Sequence, residues 1–360
     1  MLLGMDEYPY HQITETFAGV AGSDPQWNDG HYICVADQAG TVSLTSNVRL
    51  YQNNDVLDGF VCLRHGGRQH NIRLSRRLRP DMGTLGVGPL RLEIVEPLEV
   101  VRLVLEENDH GVALDLTCRT VGVPYMGPVE ITRVDGRLMS ERATYELAGR
   151  CSGWIQVDGE RVPLEEDSAS FFRNHSWGNQ GGRGGPRHGA PGPARRRAGV
   201  RQWVLFSMAD HSGFYFEDPS GRAAAGRGAV LLEDRSVPVV SVEHDLEFYE
   251  AGGGRRVRRG AFTLVDAEGR SWPYRFEDLG WVYCQGGGYF GGFDDGLGQG
   301  VYRGDYHCEG EVWDVSHPTA VVGPDGREFE FDAAWAESFV RLTGPDGRTG
   351  LAHFECVVIG

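Results

Sequence analysis

Val101-Arg102-Leu103-Val104-Leu105-Glu106-Glu107-Asn108-Asp109-His110-Gly111-Val112-Ala113-Leu114-Asp115-Leu116-Thr117-Cys118 places two alternating runs on either side of a polar turn. Val101, Leu103 and Leu105 share one strand face; Val112, Leu114, Leu116 and Cys118 share one face of the next. Between them Glu107 to Gly111 supplies turn chemistry, so the stretch reads as an antiparallel hairpin. Phe262 and Leu264, then Asp266-Ala267-Glu268-Gly269, then Trp272, Tyr274 and Phe276 repeat the scheme. Further turn signals stand at Asp135-Gly136, Asp158-Gly159, Asp218-Pro219-Ser220-Gly221, Pro324-Asp325-Gly326 and Pro345-Asp346-Gly347. Helical periodicity is nearly absent; Asp332 to Phe339 would make two turns at best. The 52 glycines suit a turn-rich β-protein. Sheets with one apolar face must bury it and manage their edges, so the expected class is all-β, as closed antiparallel barrels or sandwiches.

A chain of 360 residues favours two domains. The natural break is Gly181-Gly182-Arg183-Gly184-Gly185-Pro186, continuing through Pro191-Gly192-Pro193 to Arg195-Arg196-Arg197. This run lacks core residues and reads as a flexible loop; its arginines alternatively suit an anionic ligand group. The expected organisation is a domain over 1–180, a Gly/Pro/Arg-rich loop over 181–200 and a second domain over 201–360. A formal charge of −16 argues against nucleic acid and against an anionic membrane surface as partners. No apolar run has the length of a membrane span. The seven cysteines show no Cys-x-x-Cys spacing, so they read as buried thiols of a reducing, cytoplasmic setting, with no metal site. The N-terminal residues lack the pattern of a signal peptide. Gly286 to Phe293 is glycine-rich without dinucleotide-binding spacing, and no Gly-x-Ser-x-Gly elbow occurs.

Reactive groups concentrate in Phe172-Arg173-Asn174-His175-Ser176-Trp177-Gly178. Arg173-x-His175-Ser176-Trp177-Gly178, followed by Gln202-Trp203-Val204-Leu205-Phe206, resembles the central signature of the AttH-like and carotenoid 1,2-hydratase superfamily. Asp24-Pro25-Gln26-Trp27, Val87-Gly88-Pro89-Leu90-Arg91 running into Glu96-Pro97, and Glu311-Val312-Trp313-Asp314-Val315 resemble its bacterial two-domain branch, most of it of unknown function. The resemblance implies two lipocalin-like (calycin-type) β-barrels packed side by side. It also implies chemistry without a metal or organic cofactor, in a group whose enzymes hydrate or cyclise terpenoid alkenes and include pericyclases.

In the carotenoid hydratases a His-x-Trp pair and a later Tyr-x-Asp pair are implicated in catalysis. His175 and Trp177 match the first. Tyr215-Phe216-Glu217 matches the second approximately, with glutamate for aspartate, and Asp210 is a rival acid. Protonating an alkene needs a carboxyl whose pKa burial has raised, and aromatic faces that stabilise a carbocation. Each residue also has a structural reading. His175 could bond a backbone carbonyl, Trp177 and Trp203 could plug barrels, and Asp210 has turn chemistry. Phe214 and Phe216 facing the core would leave Glu217 in solvent. Arg173, Trp203, Asn53, Asn54, Tyr289 and Phe290 complete the set as candidate substrate-binding residues; a buried salt bridge or a cap on the barrel is the structural reading of Arg173. The expected function is a cofactor-independent enzyme on a hydrophobic isoprenoid or polyketide-derived molecule, by acid-assisted hydration, cyclisation or isomerisation. A non-catalytic carrier or sensor of a lipophilic ligand is the alternative, and a homodimer remains open.

Overall fold

The computed structural model describes residues 4–7, 9, 11, 14–20, 22–180, 198–219, 227–251 and 254–359. Its elements are strands with a few short 3-10 turns. The opening hairpin forms as its alternation requires: Val100–Leu105 pairs with Val112–Thr120, Leu103 facing Leu116. Phe262 faces Tyr274 and Leu264 faces Trp272 in the second. Where two turns of helix were conceivable, Ala333–Trp335 makes one 3-10 turn and Ala336–Thr343 is a strand.

Two antiparallel barrels result. The second is closed by eight strands, Gly199–Ser207, Ser212–Glu217, Arg227–Leu231, Ser236–Ala251, Gly254–Asp266, Ser271–Tyr283, Ala336–Thr343 and Thr349–Ile359. The first is a sheet whose main path of eleven strands curls until its ends nearly meet. Arg76 Nε, near one end, donates to the Gly86 carbonyl at the other (2.7 Å). Its interior is an aliphatic core that includes Ile33, Val35, Leu44, Leu63, Leu103, Leu116 and Phe171. The closed barrel has an aromatic interior of Phe206, Tyr215, Phe262, Trp272, Tyr274, Phe276 and Phe354. A third core joins the outer faces of the two, with Tyr32, Phe60 and Phe172 from the first barrel against Leu205, Phe214, Phe216, Phe339 and Leu351 of the second. The loop expected over 181–200 lies outside the described residues up to 197, and the strand Gly199–Ser207 follows it.

One strand crosses between the halves. Tyr306–Asp314, late in the chain, pairs antiparallel with Arg68–Arg77 and extends the first sheet. Arg73 fixes this join: its guanidinium is buried and meets Glu309 (2.6 Å), Glu311 (2.8 Å) and Asp294 (3.3 Å). On the adjacent strand Asp58, opposite Ser75, is buried too, and accepts the Gly300 N–H (2.6 Å). Burial lifts this carboxyl from an ordinary value of 3.8 to about 6, against the hydrogen bonds from Gly300 and Ser75. The folded state therefore holds the proton more tightly than the unfolded chain. Stability should then fall as pH rises from about 4 to about 6, by up to about 3 kcal/mol for this group. Asp58→Asn keeps an acceptor for Gly300 and removes the titration. Relative to wild type, its thermal midpoint should be higher at pH 7 than at pH 4.5; a pH-independent difference contradicts the assignment.

Candidate functional site

The strand Ala169–Gln180 runs between Trp27–Asp37 and Arg137–Val157. Register brings His31, His175 and Tyr145 side by side, with Asp29 opposite Trp177 and Ile33 opposite Arg173. Residues directly opposite share a face, so Arg173, His175 and Trp177 point to the same side as Ile33 and Val35, the interior of the first barrel. Phe172 points the other way, into the core between barrels. From that outer face Arg49 ties the strands together, donating to Asn28 Oδ1, the Gly30 carbonyl, and the carbonyl and Oγ of Ser176. Gly30 makes room for it: a Cβ there would stand 2.6 Å from Arg49 Cα. Gly178 closes the motif at φ 123°, where a Cβ would stand 2.2 Å from the Glu141 carbonyl oxygen.

His175 is half-buried and bonded at both ring nitrogens: Nε2 lies 2.8 Å from Asp29 Oδ1 and Nδ1 lies 3.0 Å from the Tyr145 hydroxyl. With Asp29 a carboxylate, which only accepts, Nε2 carries the hydrogen; Nδ1 then accepts from the phenol. The result is a chain from Asp29 through His175 to Tyr145. Trp177 closes one side, its ring 5.3 Å from His175 and 6.4 Å from Tyr145. The His31 ring packs against His175, tilted by 31°, with centres 4.0 Å apart. Burial, then His175 and Arg173, hold its pKa well below the ordinary value, so it is uncharged at neutral pH. Burial also pushes the Tyr145 phenol up; the nearby Arg173 opposes this and Asp29 adds to it. The salt bridge expected of Arg173 is not formed with any described residue; its guanidinium carbon lies 5.8 Å from the Tyr145 ring centre.

The other candidates lie elsewhere. Tyr215 points into the closed barrel, donating to Gln202 Oε1 (2.9 Å), whose Nε2 donates to Glu217 Oε2 (3.3 Å). Phe214 and Phe216 fill the core between barrels, yet Glu217 is not left in solvent. It is half-buried with His244 3.7 Å away, and burial raises its pKa. Glu217 thus has the environment of an acid but belongs to a different barrel interior from His175. Asp210 sits in the turn before Ser212, bonded to His211 (2.7 Å) and Arg348 (2.9 Å). Trp203 and Tyr289 lie between the barrels, packed on His353 (5.0 Å) and Trp335 (5.3 Å). The Phe290 side chain lies outside the described residues. Asn53 donates to the carbonyls of Gly22 and Asp24, and Asn54 to those of Pro25 and Gly300, so both amides hold backbone. Among the described residues no group of three or more His, Cys, Asp or Glu is placed to hold a metal ion, and no helix is long and apolar enough to cross a membrane.

A family model covers residues 2–360. The chain belongs to the family of unknown function DUF8625. No functionally curated protein matches this DUF8625 member. Among solved structures it is similar to CghA with Sch210972, at 11% identity and a TM-score of 0.50, covering 93% of this chain and 89% of that one. Kievitone hydratase from Nectria haematococca also matches, at 14% identity and a TM-score of 0.42 over 92% and 88%. At such identities the likeness to CghA establishes a shared fold and no more.

Asp29, His31 and Tyr145 were not singled out from the sequence. A signal for the first two exists: in Trp27–Asp37 they occupy the same alternate positions as Ile33 and Val35. Polar side chains on the apolar parity of a strand mark a site or a barrel mouth.

Proposed function

We propose that this protein is a cofactor-independent enzyme that moves a proton on a hydrophobic small molecule, isoprenoid or polyketide-derived, at the mouth of the first barrel. The Asp29–His175–Tyr145 chain is the observation that carries this reading. A substrate C–H or O–H gives its proton to the Tyr145 oxygen as the phenolic proton passes to His175 Nδ1. Asp29 stabilises the imidazolium that forms, the division of labour of a nucleophile–histidine–carboxylate triad. Run in reverse at a second substrate atom, the same transfer completes an isomerisation or cyclisation; where water is the group deprotonated, its oxygen adds to one carbon of the double bond and the proton returned through Tyr145 goes to the other, completing a hydration. The Trp177 indole next to His175 favours the imidazolium formed there. The resemblance of Arg173 to Gly178 to the carotenoid 1,2-hydratase signature supports the same reading. A reducing cytoplasm is the setting proposed with it, since all seven cysteines are free thiols.

The test is an incubation of the protein in D2O with small-molecule extract of its source cells, followed by mass spectrometry. Wild type should consume at least one species and yield a product carrying deuterium. His175→Ala, with an unchanged circular dichroism spectrum, should leave that species intact. Equal conversion by both proteins, or none by wild type, removes the catalytic reading; unchanged retention of a bound compound by wild type would instead indicate a carrier.

A further inference from the structure

Among the described residues four arginines are deeply buried, and all but one are given partners. Arg49 has four acceptors, Arg73 three carboxylates, and Arg256 a two-pronged bond to Asp278 (2.6 and 2.7 Å) with the Pro318 carbonyl behind it. Arg173 is the exception. It is 2% exposed, its Nε meets no acceptor, and no described residue offers it a hydrogen bond or an ion pair. One strand over, His31 is 7% exposed and its Nδ1 is also unpartnered. Register sets the two diagonally on one interior face, Arg173 opposite Ile33 and His31 opposite His175. An uncompensated guanidinium in an apolar interior is strongly unfavourable, so its retention calls for a counter-charge that no described residue supplies.

The geometry points to a carboxylate-binding site beneath His175, in which Arg173 grips a carboxylate of the ligand and His31 Nδ1–H donates beside it. The substrate class thereby narrows to hydrophobic carboxylic acids. Guanidinium is the group best shaped for this task, because its fork matches the two carboxylate oxygens. A molecule so anchored lies along the Tyr145 ring, with its body toward Trp177 and the half-exposed His175 and Asp29 at the mouth. Burial holds Arg173 below its usual pKa and His31 well below its own, which a bound carboxylate would reverse. What the anchored molecule undergoes rests on the proton-transfer reading; the binding itself does not.

The test is a thermal-shift titration with 2-naphthoate at constant ionic strength, using 2-naphthalenemethanol as the uncharged counterpart. Wild type should show a saturable rise in midpoint with naphthoate, at least roughly tenfold tighter than with the alcohol, as expected of a hydrogen-bonded charge pair. Arg173→Met should lose that preference, and without ligand should melt at or above wild type because an unpaired charge is gone. Arg173→Gln, closer in length and polarity, provides the same comparison should the methionine variant not fold. Tyr145→Phe should bind naphthoate as wild type does while losing turnover. The site is ruled out if wild type does not prefer the carboxylate, or if both Arg173 variants keep that preference. Turnover dependent on Tyr145 and His175 but without naphthoate binding would remove the carboxylate site alone.

Discussion

Tyr145→Phe is expected to lower turnover by about 10²–10⁴-fold while the protein stays folded. The substitution removes one oxygen and keeps the ring that stands 5.0 Å from His175 and 6.4 Å from Trp177. Its cost to stability is that of one partly buried hydrogen bond, about 1 kcal/mol. Its cost to chemistry is larger, because the phenol is the only member of the chain that joins His175 Nδ1 to the barrel interior; Asp29 occupies the opposite nitrogen. The informative comparison is with Asp29→Asn. An asparagine can present its carbonyl to Nε2–H and preserve the geometry, but it cannot stabilise an imidazolium by charge. The expected outcome is a fall in kcat for both variants, with little change in KM if the substrate is held mainly elsewhere in the barrel. Unimpaired kcat in Tyr145→Phe would exclude Tyr145 as the proton-transferring group, and would leave His175 with Asp29 as an ordinary half-exposed pair.

Much of this architecture is written in local alternation. The hairpins around Asn108 and Glu268 appear where period-2 patterning and turn residues put them, because each is fixed by contacts between neighbours in sequence. The expectation that Phe214 and Phe216 facing the core would leave Glu217 in solvent fails for a physical reason. Alternation assumes one apolar and one wet face, but here the second face meets another barrel, so Phe214 and Glu217 are both withdrawn from water. The strand Tyr306–Asp314 carries no local mark of the sheet it joins, since that choice rests on Arg73 and its distant carboxylates. The site divides the same way. His175 and Trp177 share a strand and stand out as a motif, whereas Asp29 and Tyr145 reach His175 from 146 and 30 residues away. Non-local pairing is what a one-dimensional pattern does not encode, and the carboxylate within reach of His175, Asp29, stands on the strand paired with it.

Glu337→Ala should destabilise the protein by about 3 kcal/mol, between the values for an unsatisfied buried group and for a broken buried ion pair. Glu337 Oε2 bonds His353 Nε2 at 2.6 Å on the outer face of the closed barrel, where it meets the first. His353 is fully buried, its Nδ1 has no partner, and it is ringed by Trp203, Phe339, Tyr32 and Phe172 with centres 5.0 to 6.3 Å away. Removing the carboxylate strands the imidazole in that aromatic shell without its acceptor. The double variant Glu337→Leu/His353→Leu separates two explanations. If the penalty comes from an orphaned polar group, replacing both partners restores most of the lost stability, as apolar replacement of buried pairs often does. If instead the pair specifies how the barrels dock, the double variant stays destabilised although its core is more apolar. Urea midpoints of the three proteins decide between these outcomes. A Glu337→Ala midpoint equal to wild type would show that the pair contributes nothing to the junction.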